Sequence, residues 1–208
     1  MLFAEVVAIS VSAISLTMAR EPAPRIQFSV PDMVYSIDVS QDGRLVAAGS
    51  RGNGSETLSL FDIEKDQKRW TADAGNYVWD LAFSPDGKIL AVCSEGGTKI
   101  FSIDQTDGQV VLTGLAALQG GLDVDISANG KWIASGGYAG KVLICNSRKG
   151  DPIGTIEVAG QRDSIFGVKF CAEDSKIVVG GMLGRGPERS GFVQIWDIAE
   201  LTGRPALP

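Results

Sequence analysis

The chain has 208 residues, 44% of them hydrophobic and 21% charged. That size allows burial of roughly 70% of the unfolded chain's surface, and the composition excludes wholesale disorder. The net charge of −6 argues against a nucleic-acid binder, and the absence of histidine removes Ser-His-Asp and Cys-His catalysis and every His-ligated zinc site.

Residues Val6 to Met18 form an apolar, small-residue run that ends at Arg20-Glu21-Pro22. Thr17-Met18-Ala19 has the small residues of a signal-peptidase site, but Glu5 stands where a basic n-region belongs. The run is also short for a membrane span. Residues 1–24 therefore read as a signal-like segment or an extra strand. The chain is expected to be cytoplasmic, or exported if residues 1–19 are a signal peptide, with no integral membrane span.

Beyond residue 25 a repeat dominates. Ser40-Gln41-Asp42-Gly43, Ser84-Pro85-Asp86-Gly87, Ser127-Ala128-Asn129-Gly130 and Cys171-Ala172-Glu173-Asp174 start 44, 43 and 44 residues apart. Asp-Gly and Asn-Gly supply the positive φ that a tight hairpin needs. The fourth copy lacks the glycine, so its turn is of another type. Each turn is preceded by a period-two strand: Tyr35, Ile37 and Val39; Trp79, Leu81 and Phe83; Leu122, Val124 and Ile126; Phe166, Val168 and Phe170. Continuous apolar strands follow at Leu45–Gly49, Ile89–Cys93, Trp132–Gly136 and Ile177–Gly180. Third strands are expected at Leu58–Asp62, Thr98–Ser102, Val142–Asn146 and Val193–Asp197, and weaker fourth strands near Arg69–Ala72, Val110–Leu115 and Ile153–Val158. Four strands in 43 or 44 residues make one propeller blade. The fold class is thus all-β, a β-propeller of four-stranded antiparallel blades, spanning 25–199 with a tail over 200–208. Cys93, Cys145 and Cys171 lie in apolar runs and read as buried small hydrophobes, not as a disulfide framework or a redox site. A Cys93→Ser change is expected to bury an unpaired hydroxyl.

The repeat resembles the WD40-repeat family. Val193-Gln194-Ile195-Trp196-Asp197 carries the eponymous dipeptide, and Val78-Trp79-Asp80-Leu81-Ala82-Phe83-Ser84-Pro85-Asp86-Gly87 is similar to the family's first-strand consensus. The family's Gly-His dipeptide is absent, and so is the Asp before the third strand. Its buried Asp-His-Ser-Trp network cannot form, and blades held mainly by apolar packing are expected. The resemblance also implies that an N-terminal strand completes the last blade, and Arg25–Val30 is suited to that. Either a four-bladed ring closes in this way, or the four repeats belong to a larger ring. An open arc would expose apolar first-strand faces.

For catalysis the sequence offers only carboxylate pairs: Asp123 with Asp125, Asp80 with Asp86, and Asp62 with Glu64. Asp123 and Asp125 share a strand face and read as solvated carboxylates at the channel. No catalytic, metal or cofactor residue is assigned. The leading expectation is a non-enzymatic interaction scaffold, of the kind the resemblance implies, that binds a protein or peptide. The alternative is a propeller enzyme or a ligand-sensing domain with its site in the channel. The loops before each first strand and between second and third strands should share one end of the ring. Tyr35, Tyr77, Trp79, Arg162, Phe166, Arg185 and Arg189 are the candidate partner-binding residues there, since aromatic and Arg side chains are typical anchors. Arg185 and Arg189 ride on a ten-residue loop, Met182 to Gly191, read as an insertion on the binding face.

Overall fold

Ser40, Ser84 and Ser127 organise three of the hairpin turns. Ser40 Oγ donates to Asp42 Oδ1 at 2.6 Å and accepts the Leu45 N–H at 2.9 Å. Ser84 with Asp86 and Ile89, and Ser127 with Asn129 and Trp132, repeat this pattern. Gly43, Gly87 and Gly130 follow with φ of 72°, 66° and 69°, where a side chain would be strained. In a computed structural model, which describes residues 24–52, 56–104, 110–116, 120–138, 140–158, 163–184 and 186–202, these turns join the first two strands of each blade.

Blade one comprises β1 (Val34–Val39), β2 (Leu45–Ser50), β3 (Leu58–Asp62) and β4 (Gln67–Ala72). Blade two comprises β5 (Val78–Phe83), β6 (Ile89–Ser94), β7 (Gly97–Ile103) and β8 (Val110–Ala116). Blade three comprises β9 (Gly121–Ile126), β10 (Trp132–Gly137), β11 (Lys141–Asn146) and β12 (Pro152–Glu157). Blade four has, among the described residues, three strands, β13 (Ser164–Cys171), β14 (Lys176–Leu183) and β15 (Ser190–Asp197). Every sheet is an antiparallel meander in chain order. The all-β propeller architecture read from the repeat is therefore present. A short helix, α1 (Ile198–Thr202), follows β15 and docks on β12 with Ile198 buried. The apolar run Val6 to Met18 and the residues from 203 onward lie outside the described residues.

The fourth turn differs, as its missing glycine implies. Ala172, Glu173 and Asp174 are left-handed in succession, with φ of 49°, 53° and 64°. Left-handed backbone is unfavourable for such residues, and the Asp174 carboxylate offsets that cost. Buried at the turn, it accepts the N–H groups of Ala128 and Asn129, both at 2.7 Å, and so ties blade four to blade three. Asp174→Ala should lower stability by about 1–3 kcal/mol, as loss of charge-assisted bonds does. An unchanged urea midpoint would show that water replaces the carboxylate.

Consecutive blades pack β1 on β5, β5 on β9 and β9 on β13. Leu45, Leu58 and Leu60 of blade one meet Leu81, Phe83 and Phe101 of blade two in one core cluster. Glycine notches let the faces approach. A Cβ at Gly49 would lie 2.2 Å from Val78 Cγ1, and one at Gly136 would lie 2.4 Å from Ile165 Cγ2. Between blades two and three the roles are exchanged, and Cys93 faces Gly121.

Apolar packing, the main attachment expected from the sequence, is joined by hydrogen bonds between blades. The innermost strand of each blade is an edge strand, so its outward N–H groups need acceptors. Carboxylates of the preceding blade supply them. Asp38 accepts Phe83 N–H at 2.7 Å, Asp80 accepts Val124 N–H at 3.0 Å, Asp123 accepts Val168 N–H at 2.6 Å and Asp125 accepts Phe170 N–H at 2.7 Å. Asp123 and Asp125 do share a face, but they are inter-blade acceptors, not solvated channel groups.

Cys93 and Cys145 are fully buried, as read, and Cys171 is half-buried. Cys93 Sγ lies 3.2 Å from Thr98 Oγ1 and 3.3 Å from the Asp123 carbonyl oxygen. A serine there would find partners, so the expected unpaired hydroxyl is corrected. Burial pushes the Cys93 thiol up to about 12. Native protein at pH 8 should therefore leave Cys93 unlabelled by a thiol reagent, since thiolate is the reactive form. Labelling as fast as in urea would contradict this packing.

The blades form an arc with uncovered ends. On the outward face of blade one Ile37 is 65% exposed, and on that of blade four Val193 and Ile195 are 75% and 65% exposed. Ile37 lies on a first-strand face of the kind an open arc was expected to leave bare, whereas Val193 and Ile195 lie on a third strand, which the expectation did not name. Arg25–Val30 forms no strand on blade four. It lies against blade one, where the Phe28 ring stacks on Phe61 with centroids 4.5 Å apart.

Candidate functional site

All four innermost strands break register at the same place. The irregularity falls between Val34 and Ser36, between Val78 and Asp80, opposite Leu122 at Gly136/Gly137, and between Ile165 and Gly167. The bulged residues are thus Tyr35, Trp79, Leu122 and Phe166. A bulge re-aims its side chain out of the alternating pattern, which places these residues at the loop end of the inner strands.

Backbone hydrogen bonds join the loops of that end from blade to blade. Gly52 N–H donates to Asn76 O at 2.9 Å, Gly120 N–H to Glu95 O at 3.3 Å and Gly140 N–H to Asp163 O at 3.0 Å. Bridges pair Arg51 with Tyr77 and Tyr138 with Ser164. Loops entering first strands and loops joining second to third strands therefore do share one end, as read from the repeat.

Tyr35, Tyr77 and Trp79 form one aromatic cluster. Tyr77 stacks on Trp79 with centroids 5.1 Å apart, and Tyr35 meets Trp79 edge-on at 5.2 Å and Tyr77 at 6.1 Å. Tyr35 stays 40% exposed, so the cluster is partly open to solvent. Trp79 Nε1 is buried without an acceptor in the protein. Arg51 borders the cluster, held by Asp32 at 3.5 Å, and its pKa is raised by Asp32 first and then by Tyr77 and Tyr35. Sequence reasoning missed Arg51. Its signal was its place just after the second strand, beside a loop that already held Tyr77.

Phe166 is 55% exposed on blade four, two blades from this cluster, and Arg189 is exposed on the neighbouring hairpin. Arg162 and Arg185 lie outside the described residues. The supposed ten-residue insertion is corrected. Pairing continues to Leu183 with Ser190, which leaves residues 184–189 as a six-residue tip. Blade one has a seven-residue connection at 51–57. What distinguishes blade four is a longer hairpin, held at its tip by the Gly184 N–H donating to buried Asp163 at 2.6 Å.

The inner carboxylates are the other polar feature. Asp80 accepts from Ser36 Oγ at 2.9 Å as well as from Val124, and Asp125 also takes Lys169 Nζ at 2.5 Å. Burial, the charges of Asp80 and Asp125 and a hydrogen bond to Asp80 push Asp123 up to about 7, against the pull of the Val168 N–H. Among the described residues no cluster of three or more His, Cys, Asp or Glu side chains is placed to hold a metal. A groove of about 720 Å³ lies at the opposite end, between the hairpin turns of blades two and three. It is lined by Pro85, Asp86, Asn129, Trp132, Arg148 and Ile153, with charges of both signs.

Residues 65–102, which span β4 to the body of β7, match the family profile "WD domain, G-beta repeat". The chain is 25% identical over 162 residues to "Eukaryotic translation initiation factor 3 subunit I" of Scheffersomyces stipitis, covering 68% of this chain and 45% of that protein. It is 25% identical over 134 residues to "Small ribosomal subunit protein RACK1" of Glycine max, covering 64% of this chain and 37% of that protein. It therefore spans less than half the length of these curated relatives. A solved structure, "Kuenenia stuttgartiensis Hydrazine Synthase", shares the fold with a TM-score of 0.64 at 19% identity, covering 79% of this chain and 51% of that one. No helix among the described residues is long and apolar enough to cross a membrane. With four co-registered repeats, blades in chain order and matches of these kinds, the chain is a β-propeller whose repeats are similar to those of WD40-repeat proteins.

Proposed function

We propose that the chain is a protein-interaction scaffold that takes a protein or peptide partner on the loop end of the arc. The observation that carries this is the Tyr35–Tyr77–Trp79 cluster beside Arg51, a half-exposed aromatic surface with a guanidinium at its rim. Aromatic and Arg side chains supply most of the energy at protein interfaces. Phe166 and Arg189 extend the same end to blade four. The curated relatives support the reading, since their names describe a subunit of an initiation factor and a ribosomal-subunit protein. A cytoplasmic setting goes with it. The inner carboxylates are occupied as acceptors of backbone N–H groups, which favours a scaffold over an enzyme with its site in the channel.

The test compares the proteins retained by the immobilised chain with those retained by a Tyr77→Ala/Arg189→Ala variant. A Gln41→Ala variant in a hairpin turn at the opposite end serves as the control. The loop-end variant should lose about tenfold or more of its specific partners with little change in melting temperature, whereas the control keeps them. One good anchor is worth that factor. Equal retention by all three proteins would overturn the loop-end assignment.

A further inference from the structure

The two ends of the arc are halves of one joint. Val193 pairs with Gly180 and Ile195 with Val178, the registers that Leu58 and Leu60 hold against Gly49 and Ala47 in blade one. Leu58 and Leu60 are 0% and 1% exposed beneath blade two, whereas Val193 and Ile195 are 75% and 65% exposed. Gly180 stands where Gly49 receives Val78. A Cβ there would meet nothing nearer than Phe192 O at 3.7 Å, so this notch is vacant. Blade one bears the matching projection, because Val34 holds the first-strand position of Val78 and Ile165 and is 41% exposed. Beside it Ile37 and Val39 occupy the registers of Leu81 and Phe83, which are buried in blade two.

The outer part of the joint matches as well. In blade two the Phe101 ring is covered by Trp70 from the outer strand of the preceding blade, with centroids 5.3 Å apart. Phe61 holds the Phe101 register in blade one, and Phe28 covers it. Phe28 thus stands where the outer strand of a preceding blade would lie. Ile26, Phe28 and Val30 are half-buried while Arg25, Gln27 and Ser29 are exposed, the alternation of a strand. Three residues, Pro31 to Met33, separate this segment from β1, so it stays beside blade one. Among the described residues blade four is the blade without an outer strand, and β15 is its edge.

We propose that two copies of this chain join end to end. Blade four of each packs on blade one of the other, and Arg25–Val30 of each adds a fourth strand to β15 of the other. A second copy supplies both faces, since one chain carries both halves of the joint and its own two faces do not meet each other. Heterologous contacts of this kind close into a ring when the rotation permits. Two arcs of four give eight blades, within the range that propellers adopt. The contacts repeat those already made between blades one and two, in the same registers.

Sedimentation equilibrium of the 208-residue chain tests this, with Val193→Lys and Val34→Asp as variants at exposed positions. Circular dichroism and melting should confirm that both variants fold. The parent chain should sediment with the mass of two chains, and each variant alone, with both joints damaged, as one. An equimolar mixture of the variants should recover a two-chain species. Pairing them collects both changes in one joint, with Lys facing Asp, and leaves the other joint unaltered. A monomeric parent at all concentrations would overturn the proposal, as would a dimer that survives both variants or an open-ended series of polymers. Failure of the loop-end variants to lose partners has no bearing on these masses, so the two readings fail separately.

Discussion

Phe83→Ala should lower stability by about 3–5 kcal/mol, the range for deleting a buried aromatic side chain. The Phe83 ring is 9% exposed and belongs to the cluster that joins blade one to blade two, with Leu45, Leu60, Leu90 and Phe101 as fellow members. Its backbone N–H donates to Asp38, and that bond survives in alanine, so the loss measures packing alone. The void would open between two sheets, each of which is braced by its own hydrogen-bond ladder. Neither can collapse far to fill it, which places the cost at the upper end of the range. Urea unfolding gives the value. A midpoint shift close to zero would mean that the ring is solvated and the faces of β5 are reversed.

Asp123→Asn should flatten the pH dependence of stability and raise the melting temperature at pH 8. Asp123 is half-buried between blades three and four, and desolvation together with its acidic neighbours lifts it from 3.8 to about 7. Between those values the unfolded chain has this carboxylate ionised while the folded chain keeps it protonated. The folded state holds the additional proton, so stability falls as pH rises from 4 to 7, and the whole cost is present above 7. With solvent screening allowed for, that cost is on the order of 2 kcal/mol. Asparagine keeps an oxygen for the Val168 N–H and directs an amide N–H toward Asp80, so it retains the geometry without the charge. Melting curves at pH 5 and pH 8 should show a larger gain for the variant at pH 8. The same pH slope in both proteins would refute the assignment of that slope to Asp123.

Phe83 was legible in the sequence and the Asp123 environment was not, for a physical reason. Period-two alternation reports which side of a strand is apolar, and Leu81 and Phe83 declare that side without help from other strands. The alternation is silent about which strand lies opposite. Asp123 and Asp125 could be placed on one face of β9, but their partners, the N–H groups of Val168 and Phe170, are 45 residues away on the next blade. The hairpin at 176–197 was misjudged for a similar reason. Met182, Leu183, Ser190 and Gly191 carry no strand pattern of their own, and pairing along β14 and β15 alone extends the ladder through them. Arg51 became a member of the candidate site only when its bridge to Tyr77 placed it beside the rings.

Local chemistry therefore determined the blade. The Ser-x-Asp/Asn-Gly turns of the first three repeats, the glycine-free turn of the fourth, the alternation before them and the apolar runs after them set strand order, hairpin register and the inward face of each repeat. Only the tertiary structure decided how blades are joined, and it did so through groups with no local signature: carboxylates that cap the free edge of the next inner strand, notches at Gly49 and Gly136, and Phe28 seated on Phe61. It also decided that the arc stays open. Whether a fourth blade meets a first depends on the small rotation between neighbours, summed over three interfaces, and no single repeat encodes that sum.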